Sequence, residues 1–229
     1  MDEKWLKKLA VGQAVEEVQS GMVVGLGTGS TIYYALLKLG ERIREGLKIV
    51  GIPTSEETEA IAAEQGIPLS TLAKHTAIDL TIDGADEVDA NLDLIKGGRG
   101  ALLREKIIAH ASKRLVIVVD ESKISKVLGA NFSLPVEIVQ FNWMATQRAI
   151  HPICGKSTLR GAGRKPFISD NGNYILDCHF GEIPHPAQTE LQLNNIPGVV
   201  ENGLFVNRAD KVIIGTTSGI QIRTKGEVN

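Results

Sequence analysis

The stretch "AIDLTIDGADEVD", residues 77–89, ends an apolar run in Asp83, Asp86, Glu87 and Asp89, four carboxylates crowded around Gly84. Like charges this close raise one another's pKa, so the cluster is unfavourable unless it has a use. Such acids can bind a metal ion, or hold sugar hydroxyls and move protons; a solvated turn is the plain alternative. Two other segments could complete a site of that kind. In "GLGTGST", residues 25–31, the hydroxyls of Thr28, Ser30 and Thr31 flank Gly29 where a strand passes into a helix, and helix N-termini favour anions. That suits one phosphate group, and a flexible turn with a capping serine is the competing reading. In "LIKGGRGALLREK", residues 94–106, Gly97, Gly98 and Gly100 permit close backbone approach and Lys96 adds a cation.

Glu105 stands out within that last segment. At 100° per residue its helical neighbours are Ala101, Leu102, Ala109 and Ser112, whereas Lys106 and His110 form the expected polar stripe. A carboxylate turned away from solvent has a raised pKa, which suits a general base near neutrality. A salt bridge to a nearby Arg or Lys would account for it too. "VIVVDESK", residues 116–123, closes another apolar run with Asp120 and Lys123. Loops at the carboxyl ends of parallel strands are where open α/β sheets bind ligands, so three of these segments can share one crevice.

Other chemistries fit poorly. A dinucleotide fingerprint needs glycine at position 30, which is Ser30, and no Lys-Ser or Lys-Thr pair follows the glycines as a P-loop requires. The acid cluster lacks the calcium-loop spacing. His75, His110, His151, His179 and His185 form no ligand pair, and Cys154 and Cys178 form no C-x-x-C, so no metal site of that kind and no cofactor is expected; magnesium on the acids is the metal reading left open. With 25 Lys and Arg against 27 Asp and Glu, and no basic block, nucleic acid is not an expected partner. Apolar runs fall far short of the roughly 20 residues a membrane helix needs. Two cysteines and an opening segment that mixes charge with apolar residues point to a reduced, cytoplasmic protein.

The elements that must position these residues alternate. Residues 2–19 form an expected amphipathic helix, with Leu6, Ala10, Ala14 and Val18 recurring every four positions and Lys7, Lys8, Glu16 and Glu17 elsewhere. Strand-like runs "MVVGLG", "LKIVGIP", "IPLSTL", "AIDLTID" and "RLVIVVD" alternate with helical ones. The pattern predicts an α/β fold, a Rossmann-like, mostly parallel sheet with helices on both faces. From residue 131 the texture changes: a strand, the helix "WMATQRAI", a hairpin "KPFISDNGNYILDCHF" turning at Asn-Gly, the helix "PAQTELQLNNIPG" and a strand predict a small α+β ferredoxin-like domain over 131–206. "ADKVIIGT" and "IQIRTK" then return to the first sheet, giving a large domain of 1–130 and 207–229.

"GLGTGST", "DGADEVD", "KGGRGALLREK" and "VDESK", in this order, closely resemble ribose-5-phosphate isomerase type A, and "SDNGNYILD" and "NNIPGVVENGLF" resemble that family's small domain. The resemblance runs nearly end to end. It implies interconversion of ribose 5-phosphate and ribulose 5-phosphate through an enediolate, without a cofactor. It also implies that Thr28, Gly29, Ser30 and Thr31 line the substrate site; Asp83, Gly84, Ala85 and Asp86 contact the sugar; Lys96, Gly97, Gly98 and Arg99 form another wall; Glu105 accepts the proton; and Lys123 binds substrate. Where this chain has Arg99 the family usually has glycine. Family membership further implies a homo-oligomer, dimer or tetramer, for which Phe141, Trp143, Met144, Ile150 and Ile153 offer apolar material. Two alternatives stay open: a non-catalytic sugar-phosphate sensor, and a related amino-sugar-phosphate deaminase.

Overall fold

The computed structural model describes residues 3–161, 163 and 165–226. The chain packs as two compact units, one of residues 1–85, 104–123 and 208–229, the other of residues 86–103 and 124–207.

In the first unit, strands β1 (Val23–Leu26), β2 (Val50–Pro53), β3 (Leu80–Asp83), β6 (Leu115–Asp120), β12 (Lys211–Thr216) and β13 (Gly219–Thr224) form one sheet in the order β13-β12-β6-β3-β1-β2. All neighbours are parallel except the edge strand β13, which runs antiparallel to β12. The fully buried run of β6, Leu115 to Asp120, is the unpunctuated pattern of a strand covered on both faces. Helices α1 (Glu3–Val15) and α2 (Ser30–Arg44) bury Ala10, Ala14, Ile32, Leu36 and Leu39 against Val24, Leu80, Val116 and Ile213. Ile108 of helix α4 (Leu102–His110) packs instead with Ile52 and Ile78. From β1 the chain winds one way to β2 and the other way to β3, so the strand order reverses between β1 and β3. Open α/β sheets bind ligands at such a switch point, outside the carboxyl ends of the strands.

In the second unit the order strand β7 (Leu134–Ile138), helix α5 (Trp143–Cys154), strands β8 (Ser157–Leu159) and β9 (Tyr174–Cys178), helix α6 (Pro186–Asn194) and strand β10 (Val199–Asn202) is the expected ferredoxin-like succession. Its antiparallel sheet, ordered β10-β7-β9-β8, buries Leu134, Val136, Ile138 and Leu176 with Ile150 and Leu193 of the helices. A further small sheet, β11 (Leu204–Phe205), β5 (Leu94–Ile95) and β4 (Glu87–Val88), is built from pieces distant in sequence.

Several expectations need correction. Residues 86–103 and 124–130 pack with the second unit, because β5 pairs with β11 and Ile124 bridges to Val88. "IPLSTL" is no strand; only Leu69 bridges, to Gly51. The Asn-Gly turn forms, with Ser169 and Asn173 joined backbone to backbone at 2.9 Å, but the first hairpin strand is Ser157–Leu159 and not the segment around Phe167. The first helix ends at Val15, and residue 2 of its expected span lies outside the described residues. Of the apolar residues expected at an oligomer surface, Phe141 and Met144 are exposed, while Ile150 is buried in the core and Trp143 and Ile153 pack against it.

Candidate active site

In the first unit the chain leaves β1 at Leu26, turns through Gly27–Gly29 and enters α2 at Ser30. The glycines answer to β3, which lies alongside. A side chain on Gly27 would stand 2.1 Å from Asp83 Oδ1 and 2.7 Å from its Cα, and one on Gly25 would stand 1.8 Å from Thr81 Oγ1. Asp83, 1% exposed, accepts hydrogen bonds from the Gly84 amide at 2.8 Å and the Thr28 amide at 3.2 Å. The Thr28 side chain turns inward. Its hydroxyl meets those of Thr54 (2.7 Å), Ser55 (2.8 Å) and Thr58 (3.1 Å), all buried, and the Thr58 hydroxyl donates to the Gly27 carbonyl. Thr28 therefore braces the turn with its side chain.

The groups turned outward are different. Gly29 has φ 115°, a conformation open to glycine, and delivers the exposed Ser30 and half-buried Thr31 to the first turn of α2, which carries no acid. First-turn amides have no intrahelical acceptor, so this end favours an anion. Sequence reasoning missed Lys7, expected on the polar side of α1: it is only 9% exposed, and its ammonium donates to Ser30 Oγ at 3.1 Å. A lysine inside a helix whose other buried positions are apolar was the available signal.

Glu105 is 4% exposed, as its helical position predicted. The helix's solvent face is Ile107 and His110, however, since Lys106 is buried at 5% exposure. Lys123 ends a short 3-10 turn after β6 and is half-buried; Asp120, before it, is engaged by the Ser122 amide at 3.0 Å and the Ser122 hydroxyl.

Ala85 closes the first unit's segment after β3, and the second unit holds Asp86, Lys96, Gly97, Gly98 and Arg99. Lys96, 2% exposed, follows β5 and donates its amide to the Gly203 carbonyl at 2.9 Å; its ammonium lies 5.4 Å from the centroid of the buried Phe205 ring, whose face favours a cation. Asp86 is half-buried, bonded from its amide to the Ile95 carbonyl, and its Oδ2 accepts the Gly98 amide at 2.8 Å. A side chain on Gly98 would stand 2.6 Å from Asp86 Oδ1. Each aspartate thus shapes one glycine loop around itself, Asp83 the turn at Gly27 and Asp86 the turn at Gly98. Gly97 (φ 102°) and Gly100 (φ 85°) take the left-handed conformations, and Arg99 does not, which is why a side chain is tolerated at that position.

Glu87 and Asp89 are buried, so the solvated-turn alternative fails for both. Glu87 accepts the amides of Gly129 and Asn131, and Asp89 those of Asn91 and Asp93, with burial pushing the Asp89 carboxyl above its usual value. Half of the acid cluster is therefore internal scaffolding. Among the described residues no three His, Cys, Asp or Glu side chains are placed to hold a metal ion, and no helix is long and apolar enough to cross a membrane.

The pattern of the family ribose 5-phosphate isomerase A (phosphoriboisomerase A) matches residues 50–219. A ribose-5-phosphate isomerase A of Gloeobacter violaceus is 52% identical over 225 residues, 98% of each chain. One of Bacillus mycoides is 51% identical over 217 residues, covering 94% of this chain and 98% of its own. Among solved structures, a D-ribose-5-phosphate isomerase in complex with phospho-erythronic acid superposes with TM-score 0.94 at 41% identity, over 98% of this chain and 100% of that one. The ribose 5-phosphate isomerase A of Methanocaldococcus jannaschii does so with TM-score 0.92 at 42% identity and the same coverage. With half its residues shared over nearly its full length, the chain belongs to the ribose 5-phosphate isomerase A family.

Proposed function

We propose that Glu105, Asp83, Asp86 and Lys96 carry out the reaction that family membership assigns to this chain, the interconversion of D-ribose 5-phosphate and D-ribulose 5-phosphate. An aldose-ketose isomerisation moves one proton between adjacent carbons and passes through an enediolate. A single carboxylate on one face can take the proton from one carbon and return it to the other, and Glu105 has that role. The observation that carries the assignment is its burial, 4% exposed on the helix that follows the glycine loop. A carboxylate held away from bulk water can carry the proton from one carbon to the other without losing it to solvent. Lys96, equally buried, stabilises the oxygen on which charge develops, and such electrostatic stabilisation commonly exceeds the ~10²- to 10⁴-fold share of the base. Asp83 and Asp86 accept sugar hydroxyls and assist opening of the furanose ring. Ser30, Thr31, Lys7 and the first amides of α2 hold the phosphate, with Lys123 as a further substrate contact. Gly84, Ala85, Gly97, Gly98 and Arg99 supply backbone along the sugar.

Phospho-erythronic acid, bound by a solved relative, carries a phosphate and a carboxylate on one short chain. The α2 N-terminus, with Ser30 and Thr31, would hold such a phosphate here. The family match disfavours a sensor or a deaminase. We further place the chain in the cytoplasm as a symmetric homo-oligomer using the exposed Phe141 and Met144.

The test is Glu105→Gln, which keeps shape and hydrogen bonding but loses basicity. With ribose 5-phosphate as substrate and ketose formation as readout, kcat should fall at least ~10²-fold with KM little changed. Near wild-type kcat would remove Glu105 from its role. Ammonia released from an amino-sugar phosphate would point to the deaminase instead, and tight binding without turnover to the sensor.

A further inference from the structure

We infer that Arg160, clamped by Asp177, is a positioning residue that sets the geometry of the Gly97–Gly98 loop and, through it, of Asp86. Arg160 follows β8, and its Nε and Nη2 both bond the Asp177 carboxylate of β9, the former at 3.1 Å. A two-pronged pair of this kind fixes the plane of the guanidinium. The Phe167 ring, 5.8 Å from the guanidinium carbon, backs it. The remaining nitrogen, Nη1, donates to two successive carbonyls, Gly97 O at 2.8 Å and Gly98 O at 3.3 Å.

The peptide between Gly97 and Gly98 is thereby pinned at both ends. Its carbonyl meets the guanidinium of Arg160 and its amide meets the carboxylate of Asp86. Glycine has more backbone freedom to lose than any other residue, and a loop with glycine at 97, 98 and 100 holds no single geometry unaided. Within "LIKGGRG" one turn bond is local, Gly100 amide to Gly97 carbonyl at 2.9 Å; the side-chain restraints come from Asp86, 12 positions before Gly98, and from Arg160 and Asp177, about 60 to 80 positions later. Both side chains are largely buried, 16% and 23% exposed, so water competes weakly for these bonds.

The inference rests on the reading that Asp86 and this loop act on substrate. The experiment uses the full-length enzyme with Arg160→Ala, Arg160→Lys and Asp177→Asn, and measures amide hydrogen exchange at Gly98 beside kinetics on ribose 5-phosphate. A lysine keeps the charge but reaches neither carbonyl pair nor carboxylate as a fork. All three variants should speed Gly98 exchange and lower kcat/KM, on the order of 10²-fold for the alanine as expected for a misplaced catalytic group. Added guanidinium ion at millimolar concentration should restore part of the Arg160→Ala activity and leave Arg160→Lys unimproved. Gly98 exchange unchanged in a folded variant overturns the clamp. Faster exchange with full activity overturns the substrate role of Asp86 on which the inference rests. Should Arg160→Ala fail to fold, Arg160→Lys and Asp177→Asn decide the matter by the same two readouts.

Discussion

Gly27 and Gly84 look interchangeable in the sequence, each a small residue in a polar loop at a strand end, yet they should respond oppositely to the same methyl group. A Cβ on Gly27 would lie 2.1 Å from Asp83 Oδ1 and 2.7 Å from Asp83 Cα. The carboxylate could swing aside, but the Cα is backbone and cannot, so the turn must lift away from β3. Lifting it strains or breaks two bonds, Gly27 amide to Ile82 carbonyl at 3.0 Å and Thr28 amide to Asp83 Oδ1 at 3.2 Å. Overpacking costs ~1–3 kcal/mol, and losing a bond to a charged acceptor adds ~1.5–3 kcal/mol. Gly27→Ala should therefore cost roughly 2.5–6 kcal/mol, which at ~2–4 °C per kcal/mol lowers Tm by at least about 5 °C. It should also raise KM for ribose 5-phosphate, because Ser30 and Thr31 move with the turn. Around Gly84, by contrast, the nearest atoms to an added Cβ are the Val118 and Thr28 carbonyl oxygens at 3.9 and 4.0 Å, ordinary contact. Gly84→Ala should change Tm by no more than about 2 °C, since a substitution without a named defect stays within ~0.5 kcal/mol. Paired thermal melts followed by circular dichroism and steady-state kinetics decide it. Equal melting temperatures for the two variants would refute the reasoning that β3 dictates glycine at position 27.

Lys7→Met should raise KM about 10-fold or more with kcat nearly unchanged, since a bond to a charged group is worth ~1.5–3 kcal/mol and the phosphate does not react; an unaltered KM would remove Lys7 from the phosphate end. Acid should destabilise the first unit through Glu17: burial pushes its carboxyl up, but hydrogen bonds from Lys211 and Arg114 outweigh this and hold it below 4.5. Its stabilising contribution is thus present above pH 4.5 and lost as pH falls through the lowered folded value, so Glu17→Gln should flatten the acid limb of a Tm-against-pH curve, and an identical limb would contradict it. Activity should survive exhaustive chelation, and a loss restored by Mg²⁺ would reinstate a metal among the acids.

The alternation of apolar strands and periodic helices was readable because each element's burial follows from its own period, as the buried Leu6, Ala10 and Ala14 demonstrate. Spacing also placed Glu105 off the expected polar stripe, and it is buried; the same spacing put Lys106 on that stripe, yet packing against other segments buries it too. Pairings between distant segments follow no local period. Only folding brings Leu94 and Ile95 to Leu204 and Phe205, puts Phe205 under Lys96, and carries Arg160 to the carbonyls of Gly97 and Gly98. The same holds for the acids at the end of β3. Four carboxylates in seven positions look alike in one dimension, and they part company because β3, β4 and the two glycine loops give each a different set of amides, Thr28 and Gly84 for Asp83, Gly98 for Asp86, Gly129 and Asn131 for Glu87, and Asn91 and Asp93 for Asp89. A carboxylate's role is set by the donors within about 3 Å of it, and for Asp83 and Glu87 these include Thr28, Gly129 and Asn131, which lie more than 40 positions away along the chain.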